Sequence, residues 1–242
     1  MNYRGACRSQ VMDGNSRWAR KRGLPTAAGH AAGVTALRTL IGNVLALGPP
    51  LHVLTVYAFS TENWGRSEEE VTALLALIQS TLVSEADELR ARGVQLRFIG
   101  ELHRLPASMR QLLHELESHA LDGPEQLTMC VALSYGGRAE IARVARELAE
   151  RVHAGELDAA AIDEDTFARA LSSSPRAVPS DPDLLLRTGG NRRLSNFLLY
   201  QAAYAELVVL DELWPDFGSR ELAEALREYC GAERTVGARH AL

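Results

Sequence analysis

The sequence predicts a single α/β domain, residues 1–242, built on a central, mostly parallel sheet of about six strands flanked by helices. Two observations carry this. Short runs rich in β-branched and apolar residues alternate with stretches of helical period, and those runs are apolar nearly throughout, as strands covered on both faces are. The chain also holds 46% hydrophobic and 24% charged residues, an ordinary balance for a soluble globular protein. Its length gives a core that needs neither disulfides nor a structural metal.

Taken in order, a first run precedes Asp13, followed by a helical stretch at about 29–47. The second run, Leu51–Phe59 (LHVLTVYAF), ends in Ser60-Thr61-Glu62-Asn63-Trp64. The helix predicted over 67–92 begins with Ser67 as N-cap, Glu68, Glu69 and Glu70 at its positive end, and Glu70 at capping-box spacing. Val71, Leu74, Leu75, Ile78, Leu82 and Leu89 recur on one helical face, widened by Ala73, Leu77 and Val83. Such a stripe fits ordinary core packing, or one wall of an elongated apolar pocket. Further runs lie at Val94–Ile99, Leu127–Leu133, Leu184–Leu186 and Leu207–Leu210, and further helices at about 106–120, 138–153, 164–171 and 219–230. Segment 172–182 (SSSPRAVPSDP) reads as a loop, and the residues from Ala232 onward, with Arg234 and Arg239, as a basic tail able to visit an anion site.

The bulk chemistry excludes several functions. A net charge of −5 argues against broad nucleic-acid binding. Cys7, Cys130 and Cys230 form neither a disulfide framework nor a zinc pattern, which fits reduced thiols in a cytoplasmic protein. The N-terminus has no apolar signal-like run, and the sequence predicts no stretch approaching the ~20 apolar residues of an integral membrane segment. There is no Walker loop, no dinucleotide glycine fingerprint and no nucleophile elbow.

Two distant stretches read as halves of one anion site: Met12-Asp13-Gly14-Asn15-Ser16-Arg17-Trp18, and Arg187-Thr188-Gly189-Gly190-Asn191-Arg192-Arg193-Leu194-Ser195-Asn196. Each combines glycine, arginine and hydroxyl or amide side chains. Glycine lets backbone N–H groups approach an anion, and arginine forks onto paired oxygens. Asp13 would repel phosphate unless a divalent cation lies between them, so the pair points to a metal-assisted diphosphate site. Ligands of open parallel sheets bind beyond the carboxyl ends of the strands. Asp13, then Ser60, Asn63, Trp64 and Arg66, then Arg187 to Ser195 all follow strand runs.

With these residues in view, the chain resembles the cis-prenyltransferase family of undecaprenyl diphosphate synthase and its short-chain relatives. The matching segments are MDGNSRWA (Met12–Ala19), GHAAG (Gly29–Gly33), YAFSTENWGR (Tyr57–Arg66), SYGGRAEI (Ser134–Ile141), RTGGNRRLSNFLLYQAAYAEL (Arg187–Leu207) and WPDF (Trp214–Phe217), in family order across a core of 12–217. The resemblance implies a homodimer of α/β subunits with an apolar tunnel. It implies magnesium-dependent condensation of isopentenyl diphosphate onto an allylic diphosphate, with loss of pyrophosphate and a new cis double bond, giving a short- or medium-chain prenyl diphosphate. Asp13 matches the aspartate that engages magnesium, and Glu206 the second carboxylate of the metal. Gly14, Asn15, Ser16 and Arg17 match the cradle of the allylic diphosphate, with Trp18 and His30 beside it. Ser60, Thr61, Glu62, Asn63, Trp64 and Arg66 match the strip near the reacting carbons, where Asn63 is the candidate for proton removal. Arg187, Arg193, Leu194 and Ser195 match the clamp on isopentenyl diphosphate. Cation–π contact from Tyr57, Phe59 and Trp64 would shield allylic charge; plain strand packing is the equal alternative.

Four departures stand out. The run Ala6-Cys7-Arg8-Ser9-Gln10-Val11 is polar where the family has an apolar strand, which predicts either a short or frayed first strand or an atypical start of the chain. Thr26 replaces a common arginine, Asn191 and Arg192 replace the usual glutamate and its neighbour, and Gly48-Pro49-Pro50 lengthens a turn. Clustered at the phosphate sites, they keep open an irregular, head-to-middle coupling of two allylic diphosphates, second to chain elongation. A non-catalytic partner subunit would lack Asp13 or the glycine-arginine motif, and both are present.

Overall fold

A computed structural model describes residues 6–48, 51–173 and 181–232. The predicted loop 172–182 and the tail with Arg234 and Arg239 fall largely or wholly outside them, as do Pro49 and Pro50. The described elements are β1 (Ala6–Val11), α1 (Asn15–Lys21), α2 (Thr26–Leu47), β2 (Leu51–Ser60), α3 (Glu68–Ala91), β3 (Val94–Ile99), α4 (Ala107–Ser118), β4 (Leu127–Tyr135), α5 (Gly137–His153), α6 (Glu164–Ser173), β5 (Leu184–Arg187), β6 (Glu206–Val209) and α7 (Ser219–Gly231). The strands form one six-stranded sheet in the order β3-β4-β2-β1-β5-β6, and every pairing is parallel.

Alternation along the strands sorts the core into two faces. Leu54, Val56, Leu184, Leu186 and Val208 point to the face covered by α2, α3, α4 and α7. Val11, Ile99, Ala132, Tyr135 and Leu185 point to the other, where Phe197 and Leu198 pack. α5 and α6 close on each other through Val144, Leu148, Ala170 and Leu171. Helix α3 starts as its sequence dictates, with the Ser67 hydroxyl accepting from the Glu70 N–H. The reciprocal half of the box does not form, because the Glu70 carboxylate is taken by Arg66 at 2.7 Å.

Three expectations are corrected. β1 is neither short nor frayed: it pairs with β2 from Ala6 to Gln10 and with β5 from Arg8 to Val11, in the middle of the sheet. Backbone bonds to two neighbours hold it, so its polarity is tolerated, with Ser9 and Gln10 buried and Gln10 Nε2 donating to the Val11 carbonyl at 3.1 Å. Secondly, α1 is a separate helix, and α2 begins at Thr26 rather than near residue 29. Thirdly, α2 is long and apolar enough to cross a membrane by length and composition, with a mean hydropathy of 1.2. That apolarity has a local use: Ala36, Leu40, Ile41 and Val44 are buried in the core, and Val34 and Leu37 line a cavity.

The topology itself makes a crevice. After β1 the chain turns into α1 and α2 on one face of the sheet, whereas after β5 it runs to Phe197 and Leu198 on the other. Adjacent strands whose connections leave to opposite faces open a gap at their carboxyl ends, the position where α/β sheets bind ligands.

Candidate active site

Both anion motifs lie at this gap and grip each other. Arg187, buried at the end of β5, donates through Nη2 to Asp13 Oδ2 at 2.8 Å and through Nη1 to Ser195 Oγ at 2.7 Å and to the Arg193 carbonyl. Asn191 Nδ2 donates to the same Asp13 oxygen at 2.9 Å, and Arg17 Nη2 lies 3.1 Å from Asp13 Oδ1. The Thr188 hydroxyl accepts from the Asp13 N–H at 3.1 Å and donates to the Asp13 carbonyl at 2.9 Å, which fixes the backbone that carries the carboxylate. Burial pushes the Asp13 carboxyl up, but the donors Asn191, Arg187 and Arg17 outweigh it and hold the group below its ordinary range. Asp13 is therefore an anion at any physiological pH.

Glycine is required at two positions here. Gly189, at φ 84°, donates its N–H to the Glu212 carbonyl at 2.7 Å, and a Cβ there would strike the Arg17 guanidinium, which itself donates to the Gly189 carbonyl at 2.7 Å. Gly14, at φ 118°, packs against Leu213 with no room for a side chain. Ser134 (φ 49°), Ser195 (φ 51°) and Asn196 (φ 63°) also take the left-handed conformation. Such strain gathers where a loop must present groups to a ligand.

The second motif reaches the strip after β2 through Asn196. Its Nδ2 donates to Glu62 Oε1 at 2.8 Å and its Oδ1 accepts from the Arg138 N–H at 2.9 Å. Thr61 packs beside Gly136 and donates to Glu62. Within the strip, Asn63 Oδ1 accepts from the Ser60 N–H at 2.9 Å, so this amide oxygen caps its own turn. Trp64 donates to Ser134 Oγ at 2.9 Å and packs edge-on against the buried Phe59. Tyr57 faces the other side of the sheet, stacked on Phe197 at 4.4 Å, so of the two readings of Tyr57 and Phe59 the structure shows packing.

At the rim of the tunnel-like cavity stand Met12, Asn15, His30 and Trp214. Burial, and then the nearby Arg66, lower the His30 pKa against an opposing pull from Glu70, so the ring is neutral at pH 7. Beyond them extends a cavity of about 120 Å³ between α2, α3 and strands β2 to β4, walled mainly by aliphatic side chains such as Val34, Leu37, Leu74 and Ile78. The wide stripe on α3 thus serves both the core and this wall.

Not every expected site residue joins the cluster. Trp18 turns to Asp216, which accepts its indole N–H at 2.7 Å, and stacks under Arg22 at 4.2 Å. Leu194 packs against the Phe197 cluster. Ser16 lies on α1, and Arg193 is exposed beside Ser195. Glu206 is in register with Leu184 at the start of β6, whereas Arg187, the partner of Asp13, is in register with Val209 at its end. Three residues of strand separate those levels by ~10 Å, so one chain does not bring Glu206 to Asp13. Among the described residues no group of three His, Cys, Asp or Glu side chains converges as a metal site. The sequence placed Thr188 and Asn191 inside the second anion motif without a role of their own, treated Asn191 further as a departure, and did not single out Asp216 as a site residue. A left-handed Asn196 carried a weak signal, since Asn tolerates positive φ better than most residues.

One buried guanidinium nitrogen at the site, Arg187 Nε, has no hydrogen-bond partner, and buried Arg17 Nη2 has only its 3.1 Å ion pair with Asp13. A buried donor left without a partner among clustered guanidinium groups suits an anionic ligand. With an apolar cavity opening from the same rim, fold and site define a class of α/β enzyme that accepts an anionic headgroup carrying a long apolar tail.

Comparison with known proteins makes the class specific. Residues 11–237 match the family described as "Putative undecaprenyl diphosphate synthase". An isoprenyl transferase of Prochlorococcus marinus is 46% identical over 227 residues, covering 94% of this chain and 83% of that protein. A ditrans,polycis-undecaprenyl-diphosphate synthase of Xanthomonas axonopodis pv. citri, described as (2E,6E)-farnesyl-diphosphate specific, is 45% identical over 229 residues, covering 94% and 86%. The structure of lavandulyl diphosphate synthase from Lavandula x intermedia, in complex with dimethylallyl diphosphate, superposes with a TM-score of 0.89 at 33% identity, covering 96% of this chain and 98% of that one. The chain belongs to the undecaprenyl diphosphate synthase family of prenyltransferases.

Proposed function

We propose that this prenyltransferase condenses an allylic diphosphate with isopentenyl diphosphate, releasing pyrophosphate and extending a cis-prenyl chain of short or medium length. The carrying observation is the placing of the Arg17 and Arg187 guanidinium groups, with Arg187 Nε left without a hydrogen-bond partner, around Asp13, whose neighbours Met12 and Asn15 line the aliphatic cavity. In this reading Gly14, Asn15, Ser16 and Arg17 hold the allylic diphosphate, and Arg187, Arg193 and Ser195 hold the second diphosphate. Leu194 sets their loop on the core. Fixed guanidinium groups at the leaving diphosphate stabilise the charge that develops as the allylic C–O bond breaks, more than they stabilise the ground state. Two diphosphates held side by side supply proximity. Ser60, Thr61, Glu62, Asn63, Trp64 and Arg66 order the neighbouring rim. The Asn63 amide is no base at neutral pH and acts by orienting hydrogen bonds rather than by taking the proton itself.

Magnesium fits through Asp13. The carboxylate is ionised and only partly covered, and magnesium takes one or two carboxylates with phosphate oxygens and waters. When bound, the cation would neutralise charge on the departing diphosphate. Glu206 of the same chain is too distant to share it. A homodimer fits the exposed Tyr204 and Leu207 at edge strand β6, and a cytoplasmic location fits the scarcity of cysteine.

A second reading, irregular coupling of two allylic diphosphates, is favoured by the likeness to lavandulyl diphosphate synthase and by Asn191, an amide rather than a carboxylate against Asp13. Purified protein with magnesium, isopentenyl diphosphate and dimethylallyl, geranyl or farnesyl diphosphate tests both. Linear products that consume isopentenyl diphosphate support elongation. A branched product from dimethylallyl and geranyl diphosphate without it supports coupling.

A further inference from the structure

The cavity wall contains one charged pair that the diphosphate chemistry does not use. Arg38, on α2, and Glu85, on α3, both line the cavity and meet through Nη2 and Oε1 at 2.6 Å. The Arg38 side chain is 51% exposed and that of Glu85 17%, so the pair spans the wall from the apolar interior to water. Ser84 Oγ adds a bond to the same Glu85 oxygen at 3.2 Å. Each partner holds the other charged: Glu85 pushes the Arg38 pKa up, and Arg38 pulls the Glu85 pKa down.

Its position along the cavity matters. On α2, Arg38 lies eight residues past His30 at the rim, ~12 Å down the helix axis. Deeper still, Leu89, Leu96 and Met129 form a buried aliphatic floor. A hydrocarbon tip advancing from the rim therefore has two ways on: down to the floor, or sideways between α2 and α3. The sideways path would strip water from two paired charges for no compensating polar contact. Ion pairs this exposed add little to stability, so folding gives a weak reason for the pair here.

We infer that the Arg38–Glu85 pair is a lateral strap that determines product length, closing the side of the cavity between α2 and α3 and directing a growing chain to the Leu89–Leu96–Met129 floor. The inference rests on the elongation reading above. With the strap in place the floor ends growth. Without it the tip escapes between the helices and elongation continues.

The test is the product ladder, read by mass after dephosphorylation, for wild type, Arg38→Glu, Glu85→Arg and the swapped double variant Arg38→Glu/Glu85→Arg. The single variants place like charges face to face and should lengthen the dominant product by at least one five-carbon unit. The swap restores an ion pair and should restore the wild-type ladder, which mere loss of packing would not do. An unchanged ladder in both single variants, or a swap that remains as long as the singles, overturns the strap. If a single variant fails to fold, the near-isosteric Glu85→Gln decides the point by the same ladder. Wild type that incorporates no isopentenyl diphosphate would refute the elongation reading instead.

Discussion

Arg187 and Asp13, 174 residues apart in sequence, meet at 2.8 Å at the carboxyl ends of neighbouring strands β5 and β1. The contact turns two separate loops into one site, because it sets both glycine-arginine motifs against each other while leaving Arg187 Nε unpartnered. The Arg187 side chain is 4% exposed, so the pair sits in a medium where a lost partner is felt.

Arg187→Ala should destabilise the fold by about 3 kcal/mol, the cost of stranding one member of a buried pair. Urea unfolding with an unchanged m-value measures this. A loss below ~1 kcal/mol would show that Arg17 and Asn191 satisfy Asp13 without it.

Asp13 gives a signed pH dependence. Its folded-state pKa is below the ordinary carboxylate value of 3.8. The stability it contributes is therefore complete above 3.8 and is lost as pH falls through the lower folded value. Wild type and Asp13→Asn should differ by a constant amount from pH 5 to 7, ~1 to 3 units above 3.8, and converge in stronger acid. A difference that grows on acidification would contradict the assignment. In the elongation assay Asp13→Asn should lose at least ~100-fold in turnover, the scale of removing one electrostatic stabiliser.

Much of the fold was legible in advance. Strands β2 to β6 announced themselves as apolar runs ended by turn residues, and α3 by its period and the Ser67 cap. β1 misled because backbone pairing on both sides, rather than apolar side chains, holds Ser9 and Gln10 in the sheet. Helix α1, with seven residues, is too short for a period to register. The site was legible as two motifs but not as one network. Nothing local in the sequence says that Asn191 and Thr188 grip Asp13, and only strand register shows that Glu206 starts β6 while Asp13 lies beyond the opposite end of the sheet.

Asn191→Glu should weaken the metal-free protein by placing a second carboxylate where an amide now donates to Asp13 at 2.9 Å. Magnesium then relieves the repulsion, so the rise in Tm on adding it should be larger than in wild type. Calorimetry with and without magnesium reads both shifts. Equal shifts would place the cation away from Asp13.

Gly189→Ala introduces a side chain at φ 84° and into the Arg17 guanidinium. Backbone strain alone costs roughly 1–2 kcal/mol, and the displaced arginine should raise KM for the allylic diphosphate. Steady-state kinetics decide. An unchanged KM would remove Arg17 from that headgroup.

In the proposed function the joined motifs hold an allylic and an isopentenyl diphosphate at the mouth of one apolar cavity. The most direct measurement is product analysis with magnesium, farnesyl diphosphate and labelled isopentenyl diphosphate. One pyrophosphate should be released for each label incorporated into a linear cis-prenyl chain. Release of pyrophosphate from allylic diphosphates alone, giving a branched product with no label, would contradict it.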